Sequence, residues 1–145
     1  MRVVTLTHDY PFPASKVWEI ATSYSALATV TAGRLRFRDL PQGRTFTGQH
    51  MVVQVSLFGL LPWQPYEMTV LSCDDTQRVL RSSERGAGVE RWDHTVHVEE
   101  TATGCRLRDH IEIEAGALTP LFALWARYMY GARHKPRLRL LNGTT

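Results

Sequence analysis

Cysteine is scarce in this sequence, long apolar runs are absent, and none of the short motifs that announce a nucleotide, a metal or a nucleophilic serine is present. Cys73 and Cys105 stand alone in strand-like segments, without the paired spacing of a zinc site or the density of a secreted disulfide scaffold, so both read as reduced packing residues. No stretch approaches the roughly 20 apolar residues that span a bilayer. The opening MRVVTLTHDY alternates instead of forming the apolar centre of a signal peptide, and a cytoplasmic location is the default expectation. There is no Gly-x-Ser-x-Gly elbow and no phosphate-binding loop, and Gly86-Ala87-Gly88 leads into a strand where a dinucleotide fingerprint would open a helix. His8, His50, His94, His97, His110 and His134 are scattered, with no two four apart on a helix. No metal, cofactor or nucleic acid is therefore expected.

Acid is missing from one end. Residues 118–145 carry Arg127, Arg133, Lys135, Arg137 and Arg139 and no Asp or Glu, whereas the other 117 residues hold 12 basic and 14 acidic groups. Such an end can touch phosphate or an anionic membrane. A solvated helix face with cations near its C-terminus explains it more simply and is the expectation. What remains is ordinary: 145 residues, 43% hydrophobic and 21% charged, without repeats, predict one domain over residues 1–145 with one core.

Arg2 to Tyr10 alternates, with Val4, Leu6, His8 and Tyr10 on one side, as a strand does. Pro11 and Pro13 stop it, and Pro13 is placed to open a short helix in which Val17, Trp18 and Ala21 share a face. Residues 23–31 read as a second short helical turn or loop. From Gly33 the period is two: Leu35 and Phe37 alternate with arginines, and Pro41-Gln42-Gly43 makes a turn. Met51, Val53, Val55 and Leu57 mark the next strand, Tyr66, Met68 and Val70 another, and residues 77–84 a less distinct one before Gly86 and Gly88. Trp92, His94, Val96 and Val98 then alternate with polar residues, as do Leu107, Asp109, Ile111 and Ile113, around a turn at residues 101–104. After Gly116 the period turns helical. Leu118, Leu121, Phe122, Trp125, Tyr128, Met129 and Ala132 form a wide apolar stripe, with Thr119 as N-cap and Pro120 as first residue, and Gly131 and Pro136 are expected to bend or end the helix. The Leu121, Phe122, Trp125 and Met129 face is expected to pack on the sheet.

The front of the chain reads Tyr10-x-x-Pro13-x-x-x-Val17-Trp18. The back has Trp92-x-His94, Gly104, Asp109 and Gly116 before a helix rich in Tyr, Arg and His, and Leu57-Phe58-Gly59 and Pro62-Trp63 lie between. Over essentially its whole length this pattern resembles the START-like superfamily, also called Bet v 1-like, SRPBCC or polyketide cyclase-like domains, in a bacterial ligand-binding branch. The resemblance implies an α+β helix-grip fold: a curved antiparallel sheet wrapped around a long C-terminal helix, two short N-terminal helices, and a cavity between sheet and helix. Members bind lipids, quinones, hormones or polyketides, and some catalyse cyclisation, so the fold alone does not choose an activity. The sequence departs from the commoner His-x-His pair of that branch, because Val96 holds the second position and His97 follows on the opposite face.

His94 and Asp109 are the polar residues on otherwise apolar strand faces. A turn centred near residues 101 and 102 puts them opposite each other, within reach across the ladder. A buried carboxylate needs a partner, and a histidine held by one can move protons near neutral pH. The pair is thus a general-base dyad, a ligand contact or a structural pair inside the sheet. Trp18, Tyr66, Met68, Trp92, Trp125 and Met129 are candidates to line a ligand cavity, together with Met51, Val53, Val96, Ile111 and Phe122, His94 and Asp109. The leading reading is a non-catalytic binder of a hydrophobic small molecule of about drug size. A cyclase- or isomerase-type enzyme using His94 and Asp109 is one alternative. The other is contact with a membrane or protein through the apolar loop Phe58-Gly59-Leu60-Leu61-Pro62-Trp63 and the basic C-terminal end, although that loop can equally be a cavity lid or fold back over the core.

Overall fold

Along residues 2–10, 89–101 and 104–114 the alternation in sequence is an alternation in burial, so the sheet there has one dry and one wet face. The computed structural model describes residues 1–143. In chain order it has β1 (Arg2–Tyr10), α1 (Ala14–Ala21), α2 (Tyr24–Thr31), β2 (Leu35–Arg38), β3 (His50–Leu57), β4 (Gln64–Asp74), β5 (Val79–Gly86), β6 (Val89–Thr101), β7 (Gly104–Glu114), α3 (Thr119–Gly131) and α4 (His134–Leu141). On β6 the buried residues are Trp92, His94, Val96 and Val98, and on β7 they are Cys105, Leu107, Asp109, Ile111 and Ile113. Strands β2 to β7 form an antiparallel meander, and β1 closes onto β7, giving the order β1-β7-β6-β5-β4-β3-β2. The sheet curls around the C-terminal helix as a half-barrel, which is the helix-grip fold. None of the helices is long and apolar enough to cross a membrane among the described residues.

The helix grips by its small residues, which corrects the expected stripe. Ala123, Ala126, Met129 and Tyr130 are buried, whereas Leu121 is 61% exposed and Leu118, Leu124 and Tyr128 also face out. Alanines let the helix axis approach β1 and β7 closely, and the large side chains are left on the shoulders. Trp125 is therefore only half-buried, not core. Thr119 does not cap in the expected way either. It is the first residue of α3, and its Oγ1 accepts the Ala115 N–H at 2.9 Å and donates to Gly116 O at 2.7 Å.

Between α3 and α4 the helix breaks at Ala132 and Arg133. Pro136 has no N–H for the Ala132 carbonyl, and its ring would clash with that carbonyl in an unbroken helix. In the first turn of α4 neither problem arises, and Arg34 Nη2 donates to the freed Ala132 oxygen at 3.4 Å. His134 of α4 stacks on His8 of β1 with ring centroids 4.9 Å apart, and the Tyr10 ring lies at the same distance from it, tilted.

That histidine contact makes stability pH-dependent. Burial, then the charges of His134 and Arg137, holds the His8 pKa below its ordinary value against the opposing pull of Asp109 and Asp9. Burial and Arg137 do the same to His134, with Asp9 opposing. A base whose pKa is lowered by folding binds more protons when unfolded, so the contribution is complete above about pH 6.5 and is lost as pH falls toward the folded values. Melting temperature is expected to drop between pH 7.5 and 5.5, and His8→Phe should flatten the drop. A melting temperature that rises over this interval would contradict the assignment.

Candidate ligand cavity

Three apolar clusters form the core. One lies under α1 around Tyr10, Val17, Trp18, Val98 and Leu107, one under α3 around Val4, Trp92, Ile111, Ile113 and Ala126, and one on β3 around Tyr24, Met51, Val53 and Val55. They do not close on one another. Between them lies a cavity of about 150 Å³, bordered by residues of all three. Met51, Val55, Tyr66, Met68, Leu80, Glu84, Trp92, His94 and Val96 form its sheet wall, and Phe122, Trp125, Met129, Tyr130, Arg133 and Arg137 its helix wall. The partly exposed lining residues Leu27, Leu35, Phe37, Leu57, Ala87, Phe122 and Trp125 mark the mouth.

Local sequence explains that mouth. Ala87 and Gly88 both have positive φ, 51° and 92°, as a tight two-residue hairpin turn requires. A Cβ on Gly88 would come within 3.2 Å of the Phe122 ring, so glycine here lets the turn sit directly over α3. On the other side Phe58 meets Trp125 edge-on at 5.4 Å. Leu60 and Leu61 are 87% and 50% exposed, so the loop 58–63 rims the mouth and does not fold back over the core. Arg38 stacks on Trp63 at 3.8 Å and pins its far end.

Of the residues expected at a cavity, Met51, Tyr66, Met68, Trp92, His94, Val96, Phe122, Trp125 and Met129 line it. Four do not. Trp18 packs from α1 into the cluster with Tyr10, Val98 and Leu107 and donates its indole N–H to Asp75 Oδ1 at 2.8 Å. Val53 and Ile111 are sealed within their clusters, and Asp109, fully buried, lies behind His94. His97 and His110 fall on the outer face, as their parity requires. Sequence reasoning missed Tyr24, Glu84, Tyr130, Arg133 and Arg137. Arg133 and Arg137, expected on a solvated basic end, are only 7% and 4% exposed. The signal was available: residues 126, 130, 133 and 137 follow helical spacing on the buried face, and charge alone disguised it.

The polar residues beside the cavity form a chain. His94 Nε2 lies 2.7 Å from Asp109 Oδ1, His94 Nδ1 lies 3.4 Å from the Tyr130 hydroxyl, and Trp92 Nε1 lies 3.3 Å from the same hydroxyl. Trp92 N–H donates to the Tyr130 hydroxyl, that hydroxyl and His94 Nδ1 share one hydrogen bond, and His94 Nε2–H donates to Asp109 Oδ1, while Asp109 Oδ2 has no partner. Burial alone would raise the Asp109 pKa, but the His94 hydrogen bond and the charges of His94, Arg137 and Arg133 bring it below the ordinary value. Burial, with Glu84 nearby, pushes the Tyr66 phenol up, and burial does the same to Tyr130 against the nearby Arg133 charge. Tyr24, which donates to Gln49 Oε1 at 2.6 Å, is pushed up to about 12 by burial and the nearby Cys73 and Glu84. All three stay hydroxyls near neutral pH. In this arrangement both His94 ring nitrogens are occupied, so the imidazole can present a polar surface to a ligand but has no free lone pair to take its proton.

A curled antiparallel sheet gripping a C-terminal helix around an internal cavity is the helix-grip fold, the fold of Bet v 1-like, or SRPBCC, domains. Within it, the chain belongs to the family described as "Domain of unknown function (DUF8410)", which matches residues 11–141. Solved structures share the fold at low identity. CV1439 from Chromobacterium violaceum is 15% identical with 97% of each chain covered and a TM-score of 0.77. Truncated norcoclaurine synthase from Thalictrum flavum is 16% identical over 97% of this chain and 92% of that one, at 0.71. Ara h 8.0201 is 10% identical over 97% and 98%, also at 0.71. Likeness at these identities shows the fold. No curated protein matches the chain.

Proposed function

We propose that this domain binds a mainly apolar small molecule between the sheet and the C-terminal helix, without chemical conversion. The observation that carries the reading is the cavity, walled by apolar and aromatic side chains from both layers, with a polar chain in which both His94 ring nitrogens are engaged. Fold neighbours that include a norcoclaurine synthase agree with a ligand-holding architecture. A cyclase- or isomerase-type reaction through His94 and Asp109 has less support, because Asp109 does not reach the cavity and His94 is engaged at both nitrogens. About 150 Å³ holds a single small ring system, whereas drug-sized sites run from about 300 Å³. A ligand of drug size would therefore extend through the mouth past Phe122 and Trp125, or displace them.

Native mass spectrometry of the purified protein should recover a bound apolar molecule. Added ligand should shift the emission of Trp92 and Trp125 and, at 100 times its dissociation constant, add about 2.7 kcal/mol of stability. A panel of lipids, quinones and polyketide-like aromatics giving neither signal would remove the reading.

One observation favours a second role at an anionic membrane. Exposed Leu60, Leu61, Leu121 and Leu124 lie on the loop and helix that bound the mouth, and Arg36, Arg38 and Arg127 are exposed on neighbouring positions. Retention on vesicles containing phosphatidylserine, lost at high salt and lost in Leu60→Ser with Leu61→Ser, is the expected result. Equal retention on neutral vesicles would contradict it.

A further inference from the structure

We infer that the ligand carries an anionic group, a carboxylate or a comparable acid, held by Arg133 and Arg137 on the helix wall. This rests on the cavity reading above and names the chemistry of its occupant.

Both arginines line the cavity and both are more than nine-tenths buried. Arg133 is the N-cap of α4 and Arg137 lies one turn on, its N–H donating to the Arg133 carbonyl at 3.0 Å, so their side chains project on the same side. Neither guanidinium forms an ion pair with a carboxylate among the described residues. The Arg133 guanidinium carbon sits over the Tyr130 ring at 4.1 Å from its centre, and Arg133 Nε has no hydrogen-bond partner. Arg137 faces Tyr10, and its Nη1 likewise has no partner.

The nearby acids do not meet them. Asp109 Oδ1 accepts from His94 at 2.7 Å while its Oδ2 has no partner, and Glu84 Oε2 accepts from Ser82 at 2.9 Å. These carboxylates offset the positive charge through space without making the hydrogen bonds. Buried donors without acceptors are uncommon in native proteins and call for a specific partner. A guanidinium fork matches the two oxygens of an acid. Two guanidinia bordering one apolar cavity, each with an unmet donor, therefore suit a molecule with an apolar body and an acidic end, its body toward Met68, Trp92 and Phe122.

Isothermal titration with 2-naphthoate and 2-naphthalenemethanol, which share one ring system and differ in charge, tests the assignment. The wild-type protein is expected to bind the acid at least about ten-fold more tightly than the alcohol, the ratio that one charge-assisted hydrogen bond supplies. Arg133→Met and Arg137→Met should each lower affinity for the acid far more than for the alcohol, erasing most of that preference. If a variant does not fold, the wild-type comparison stands by itself. Equal binding of both compounds by the wild type overturns the anionic group and leaves the cavity reading intact. Binding of neither overturns both.

Discussion

Asp109→Ala is expected to cost the fold about 3–5 kcal/mol, the usual loss when one member of a buried charged pair is removed. Asp109 has no exposed surface and accepts from His94 at 2.7 Å. It also supplies negative charge to Arg133 and Arg137, whose guanidinia have no carboxylate of their own. Alanine would orphan the His94 Nε2–H and leave two buried cations less compensated. Asp109→Asn keeps an acceptor without the charge and should lose less. The double replacement of His94 and Asp109 by Leu should recover part of the loss, because a buried polar pair is often replaceable by apolar groups. Urea titration of the three variants separates these cases. A loss below about 1 kcal/mol for Asp109→Ala would mean that the pair holds no strain-free role in the core.

Filling the cavity is expected to abolish binding with far less effect on folding. Met68 sits on the sheet wall and is only partly buried, so Met68→Trp can push its ring into space that is already empty. Affinity for an apolar ligand should fall at least about 100-fold, equivalent to about 2.7 kcal/mol, while unfolding free energy should change by no more than about 1–3 kcal/mol, the range for overpacking. Titration followed by calorimetry, beside denaturation of the same variant, gives both numbers. Unchanged affinity in a folded Met68→Trp protein would place the ligand elsewhere.

Periodicity carried most of the architecture. A strand's side chains alternate with period two and a helix's with 3.6, so the order of elements and the inward parity of Trp92, His94, Val96, Asp109 and Ile111 were legible before any fold was known. Register was legible only to its parity. His94 pairs with Ile111 and Asp109 with Val96, because the tight turn falls at residues 102 and 103. The partner thus moves by two positions from the expected one, an even shift that keeps both residues on one face, and they meet diagonally. What the sequence by itself determined was which residues share a face, since that depends on local backbone geometry. Only tertiary structure decided which faces are covered and by what. The helix turns Ala123 and Ala126 inward and Leu121 outward because close approach to β1 and β7 favours small side chains. Arg133 and Arg137 are buried because the break at Ala132 sets α4 against α2 and the cavity. Burial of a charged side chain is a property of its surroundings, and a chain of residue types does not contain those surroundings until distant elements meet.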